Sequence, residues 1–218
     1  MKRFRMVSLC LAAMIAVPAV VSASASAALP EFSGPFPKPF KVKSGAFIVE
    51  TVNRVKASCK AGTNAGEMTG PQTGRATLKL TGCEVSGFKC SSAGAAPGEI
   101  VSNLLSATLG YINKAKKEVG ISLESATGGT VAEFTCGSVR VTETGSVIGK
   151  VTPINKKVKA GKPFTLKFTQ TRGKQKPTKF EGGPTDVLMA SVNGGKPEEA
   201  GVSAKGELTF TEVGEIKA

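Results

Sequence analysis

The chain has 218 residues, 29 basic against 16 acidic side chains, a net charge of +13, and neither histidine nor tryptophan. Without histidine there is no His-based catalytic triad and no imidazole to act as general base or metal ligand. Asp186 is the only aspartate, which excludes the usual calcium loops, and no P-loop or G-x-G-x-x-G run is present to cradle phosphate, so no cofactor is expected.

The first element in chain order is a leader. Lys2, Arg3 and Arg5 precede an apolar run from position 6 to 21, and Ala25-Ser26-Ala27 supplies a small-x-small cleavage site. This is the layout of a signal peptide over residues 1–27, and it predicts a secreted product. Cys10 lies inside the apolar run behind Leu9, a poor setting for lipid attachment. No later segment approaches the roughly 20 apolar residues of a spanning helix.

Residues 28–45 form an arm with Pro30, Pro35, Pro37 and Pro39 interleaved with Phe32, Phe36 and Phe40. Prolines at this density favour an extended, polyproline-like path. The phenylalanines are expected to strap the arm onto the domain, and recognition of a proline-binding partner is the alternative.

Residues 46–218 read as a single β domain. Residues 76–81 and 164–169 alternate apolar and polar side chains, with Leu78 and Leu80 on one face of the first and Phe164, Leu166 and Phe168 on one face of the second. Residues 131–136, 139–144 and 208–211 are further strand-like runs. Gly128-Gly129, Arg172-Gly173 and Asn193-Gly194-Gly195 suit hairpin turns. Residues 100–119 carry some helix-like spacing, but Thr108, Gly110 and Asn113 oppose a helix, and two strands joined near 113–117 are expected instead. Many short strands with frequent turns predict an all-β fold, an antiparallel β-sandwich or barrel-like domain.

Four cysteines follow the leader: Cys59, Cys83, Cys90 and Cys136. An even number in an exported chain favours two disulfides, with three pairings open. Cys83–Cys90 across a short loop and Cys59–Cys136 across a long one is the expected pairing. Zinc is the competing use of four thiolates, but no C-x-x-C knuckle is present, and no metal is expected.

Thr81-Gly82-Cys83, Gly110-Tyr111-Ile112-Asn113-Lys114, Glu133-Phe134-Thr135-Cys136-Gly137 and Gly145-Ser146-Val147-Ile148-Gly149 form a recurring pattern. Over roughly residues 50–160 the chain resembles a group of exported actinobacterial proteins through these motifs. The resemblance implies a secreted β-rich fold and carries no activity with it.

Charge is segregated. Residues 144–180 hold Lys150, Lys156, Lys157, Lys159, Lys162, Lys167, Arg172, Lys174, Lys176 and Lys179 and no acid, whereas the rest of the chain beyond the leader is balanced. Such a segment attracts polyanions. Its lysine dominance favours diffuse attraction over bidentate phosphate recognition, and the lack of aromatic stacking partners argues against specific nucleic-acid binding. A solvated edge that discourages strand pairing is the plainer role for the same lysines.

Catalytic patterns are sparse. Ser86-x-x-Lys89, with Lys43-Ser44-Gly45 and Ser191-x-Asn193, imitates the motifs of penicillin-recognising serine enzymes in the wrong order. Glu198 and Glu199 are adjacent and would face opposite ways on a strand. The expectation is a non-enzymatic, secreted or envelope-associated protein making salt-sensitive contacts with anionic wall or matrix polymers through the basic segment. A protein-binding or inhibitor module presenting Val85, Phe88 and Lys89 on the Cys83–Cys90 loop is the alternative, and a small Ser/Lys or carboxylate hydrolase is third.

Overall fold

The computed structural model describes residues 29–218, and the leader expected at 1–27 lies outside the described residues. These residues form strands and turns only. The first half of the chain supplies β1 (Glu31–Phe32), β2 (Lys38–Thr51), β3 (Lys56–Cys59), β4 (Ala61–Met68), β5 (Thr73–Thr81), β6 (Glu84–Val85), β7 (Phe88–Ser91), β8 (Glu99–Val101) and β9 (Leu105–Asn113). The second half supplies β10 (Glu118–Ser125), β11 (Thr130–Cys136), β12 (Val139–Thr144), β13 (Ser146–Thr152), β14 (Pro163–Thr171), β15 (Lys174–Lys176), β16 (Leu188–Val192), β17 (Glu198–Phe210) and β18 (Ile216–Lys217). Strands β9 and β10 resolve the ambiguous stretch as two strands joined at 114–117. The Arg172-Gly173 and Asn193-Gly194 turns both take positive φ.

Every strand pairing is antiparallel, and the pairings close into rings. One hydrogen-bonded circuit runs β2-β4-β5-β9-β10-β13-β14-β17 and returns to β2. A second runs β2-β3-β6-β7-β11-β12-β16-β17 and also returns to β2. Each ring has eight strands, and they share the β2–β17 pair. The lower half of β2 serves the first ring through β4 and its upper half serves the second through β3. The fold is therefore the barrel-like form of the expected antiparallel all-β class.

Period-two alternation produces this arrangement. In β14, Phe164, Leu166 and Phe168 are buried, while Thr165, Lys167 and Thr169 point outward. In β11, Ala132, Phe134 and Cys136 face in. At one end of the first ring, Phe32, Phe40, Phe164 and Phe210 meet edge to face with ring centroids 5.5–6.1 Å apart. Two members of that cluster come from the arm, and the boundary expected at residue 45 falls inside β2. Pro39 interrupts nothing, because Phe40 and Val42 hold the buried phase while Lys41 and Lys43 hold the exposed one.

The cysteines pair differently from expectation. The bridges are Cys59–Cys83 and Cys90–Cys136, not Cys83–Cys90 and Cys59–Cys136. Cys83 and Cys90 do lie next to one another across the β6–β7 hairpin, where the Cys90 N–H donates to the Cys83 carbonyl at 2.9 Å. Their side chains turn outward to the flanking strands: Ser58 pairs with Glu84 and brings Cys59 beside Cys83, and Cys90 stands opposite Cys136 between β7 and β11. The bridges thus staple the hairpin to β3 on one side and β11 on the other. With separations of 24 and 46 residues, chain entropy alone assigns them about 3.5 and about 4 kcal/mol.

Candidate functional site

Outward-facing lysines form a cross-strand row. Lys150 on β13 pairs with Lys167 on β14, and Lys167 pairs in turn with Lys205 on β17. Directly opposed residues of an antiparallel pair share a face, so three lysines stand side by side across three strands. Lys174 and Lys176 on β15 lie opposite Thr171 and Thr169 and extend the row along β14. Lys179 belongs to the loop after β15, which crosses the outside of the first ring and seats the Phe180 ring over Gly110.

Lys156, Lys157, Lys159 and Lys162 sit apart, in the loop between β13 and β14. That loop folds back onto the C-terminal segment through Asn155–Ala218, Val158–Gly214 and Gly161–Phe210 hydrogen bonds. The ten basic residues consequently occupy the whole length of β14, about 30 Å, with one cluster at each end. Nine of them are exposed. Lys150 is the exception: half-buried, it donates to Glu118 at 2.7 Å and holds that carboxyl below its ordinary value. Among the described residues no other member of the ten is within ion-pair distance of an acid. Lys205 was not legible as part of this face because it belongs to a mildly acidic stretch of sequence; only the β14–β17 register brings it in.

The loop chemistry imagined at Ser86 does not assemble. Ser86 and Gly87 form the tip of the β6–β7 hairpin, Ser86 at φ 50°, and Lys89 stands opposite Glu84 instead of beside Ser86. On the same hairpin Phe88 is 63% exposed, whereas Val85 packs partly against the core.

A second location is internal. Between the rings lies a cavity of about 90 Å³ whose walls are almost entirely aliphatic or aromatic, with Leu123, Phe134, Leu188 and Val202 among them. One ionisable side chain enters it: Glu143 of β12. It is 7% exposed, and its Oε1 has no hydrogen-bond partner. Burial alone pushes its carboxyl up to about 7. Glu143 stands in a cross-strand row, Ala132 on β11, Glu143, Ala190 on β16, then Glu198 on β17, whose Oε2 is also buried without a partner. The sequence does carry a signal for it: Val139, Val141 and Glu143 share one phase of the alternation, so the glutamate sits where a third apolar residue belongs.

Among the described residues no group of three or more His, Cys, Asp or Glu side chains could hold a metal ion, and no helix is long and apolar enough to cross a membrane. What fold and surface together define is a disulfide-stapled, antiparallel β-barrel protein with a basic outer face. Comparison of the chain with protein-family models, with curated proteins and with solved structures finds no match.

Proposed function

We propose that this is a non-enzymatic exported protein whose basic outer face holds it to anionic polymers of the cell wall or matrix. The observation that carries the reading is Lys167 flanked on both sides by directly opposed lysines, Lys150 and Lys205. Glu118 offsets Lys150, but among the described residues Lys167 and Lys205 have no acid within ion-pair distance. Like charges directly opposite one another disfavour the fold, so that pair is useful to the molecule through what it attracts from outside. Flexible ammonium groups spread over about 30 Å suit a repeating polyanion better than a single phosphate. The leader and the two disulfides agree with an extracellular setting.

Retention of the oxidised protein on immobilised polyglycerol phosphate across a salt series tests this. Retention is expected at about 20 mM salt and release by about 0.5 M, because exposed charges are screened within a few ångströms there. Lys167→Glu combined with Lys205→Glu is expected to move the release point to clearly lower salt. Retention that ignores salt, or a double variant that elutes with the native protein, overturns the reading. Exposed Phe88 favours the protein-binding alternative; Phe88→Ser leaves polymer retention unchanged if the basic face is the working surface.

A further inference from the structure

We propose that the interior cavity is a binding site for a compact apolar molecule carrying one hydrogen-bond-donating head, a hydroxyl or an amine, which the carboxyl of Glu143 receives.

The walls select the body of such a ligand. A ring of eight strands encloses just enough room for side chains or for one small ligand, and between the two rings the side chains leave about 90 Å³ unfilled. An apolar cavity of about 150 Å³ stays dry and takes up benzene, so this volume suits a whole ligand of about four non-hydrogen atoms.

Glu143 selects the head. A buried carboxyl oxygen with no partner is costly, and proteins rarely keep one without a use. Ala132 and Ala190, the cross-strand neighbours of Glu143, end at Cβ and offer the carboxyl no donor, and Ala132 lines the cavity beside it. Three other polar side chains line the cavity, Ser44, Asn64 and Ser102, none of them ionisable, and the Ser102 hydroxyl is already engaged by the Leu78 N–H at 2.9 Å and the Asn103 carbonyl at 2.8 Å. A ligand that meets aliphatic walls with a hydrocarbon body and brings a single donor to Glu143 satisfies both halves of the site.

The test is a methyl-NMR titration of the oxidised protein at pH 8, where Glu143 is ionised and can only accept, with three probes of equal size: n-propanol, n-propylamine and ethyl methyl ether, which lacks a donor. Saturable shifts of the Ala132, Leu188 and Val202 methyls are expected, with at least one of the donor-bearing probes binding tenfold or more tighter than the ether. The alcohol-to-amine ratio distinguishes a neutral from a cationic head. Glu143→Leu is expected to abolish the preference over ether. In the native protein, and independently of any variant, nuclear Overhauser contacts are expected from the methylene next to the head group to Glu143. Ether binding as tightly as both donor probes overturns the proposal. So do a preference that survives in Glu143→Leu, contacts that place the head away from Glu143, or the absence of saturable shifts with all three probes.

Discussion

Lys38 and Glu143 are both buried charges, and they are treated in opposite ways. Lys38, 3% exposed, lies at the packed end of the first ring, where its ammonium donates to the Val213 carbonyl at 2.6 Å and sits 5.3 Å from the centre of the Phe210 ring. Glu143 lies at the open middle, with alanines on both sides and no donor on Oε1. One charge is locked into a filled aromatic corner and closes it; the other faces unfilled space. The difference separates a buried ion that belongs to the architecture from one that is free to meet a ligand.

Three substitutions push on that contrast. The largest effect is expected at the packed end: Phe210→Ala removes the ring that meets Phe32, Phe40 and Phe164, and chemical denaturation should record a loss of about 3–5 kcal/mol. At the open middle the effect depends on pH. Glu143 binds its proton more tightly folded than unfolded, with a pKa of about 7 against the ordinary 4.5. Its contribution is therefore fully present below pH 4.5 and is lost as pH rises to 7, amounting to about 3 kcal/mol. Glu198 stands beyond Ala190 in the same row, and among the described residues no cation lines the cavity. Denaturation at pH 4.5, 6 and 8 should show this decline, and Glu143→Leu should flatten it and come out more stable than the native chain at pH 8. The smallest change has the opposite sign: Lys38→Met keeps most of the volume but leaves the Val213 carbonyl unpaired, and the same denaturation should record a loss of about 1–2 kcal/mol at every pH. A Lys38 variant that stabilised the protein would erase the distinction between the two ends.

Alternation made β11, β12 and β14 legible almost to the residue and parts of β5, β9, β10 and β17 besides, because each has one wet and one dry face. β2 carries the same signal in its Phe40-x-Val42 phase, which puts it in the sheet although its flank is rich in proline. Disulfide pairing was not legible, since Cys83 and Cys90 are neighbours in space as well as in sequence, and only the strands outside the hairpin decide where their sulfurs go. The basic segment was visible as composition, but its division into a central row and two end clusters follows from the β13–β14 loop docking on the C-terminal segment. Glu143 was open to view as an acid on an apolar phase. Its orphaned oxygen and the space beside it arise from Ala132 and Ala190, which join it only through register.

The shared β2–β17 pair also governs assembly. Phe40 meets Phe210 and Thr51 meets Ala200, so both rings wait on one contact between strands at opposite ends of the domain. Until β17 arrives, everything from β3 to β16 is an unclosed sheet with bare edges, and its late, long-range seam makes for slow folding. When that seam zips, both barrels shut together, and the space around Glu143 acquires its last wall from Val202 and Ala204.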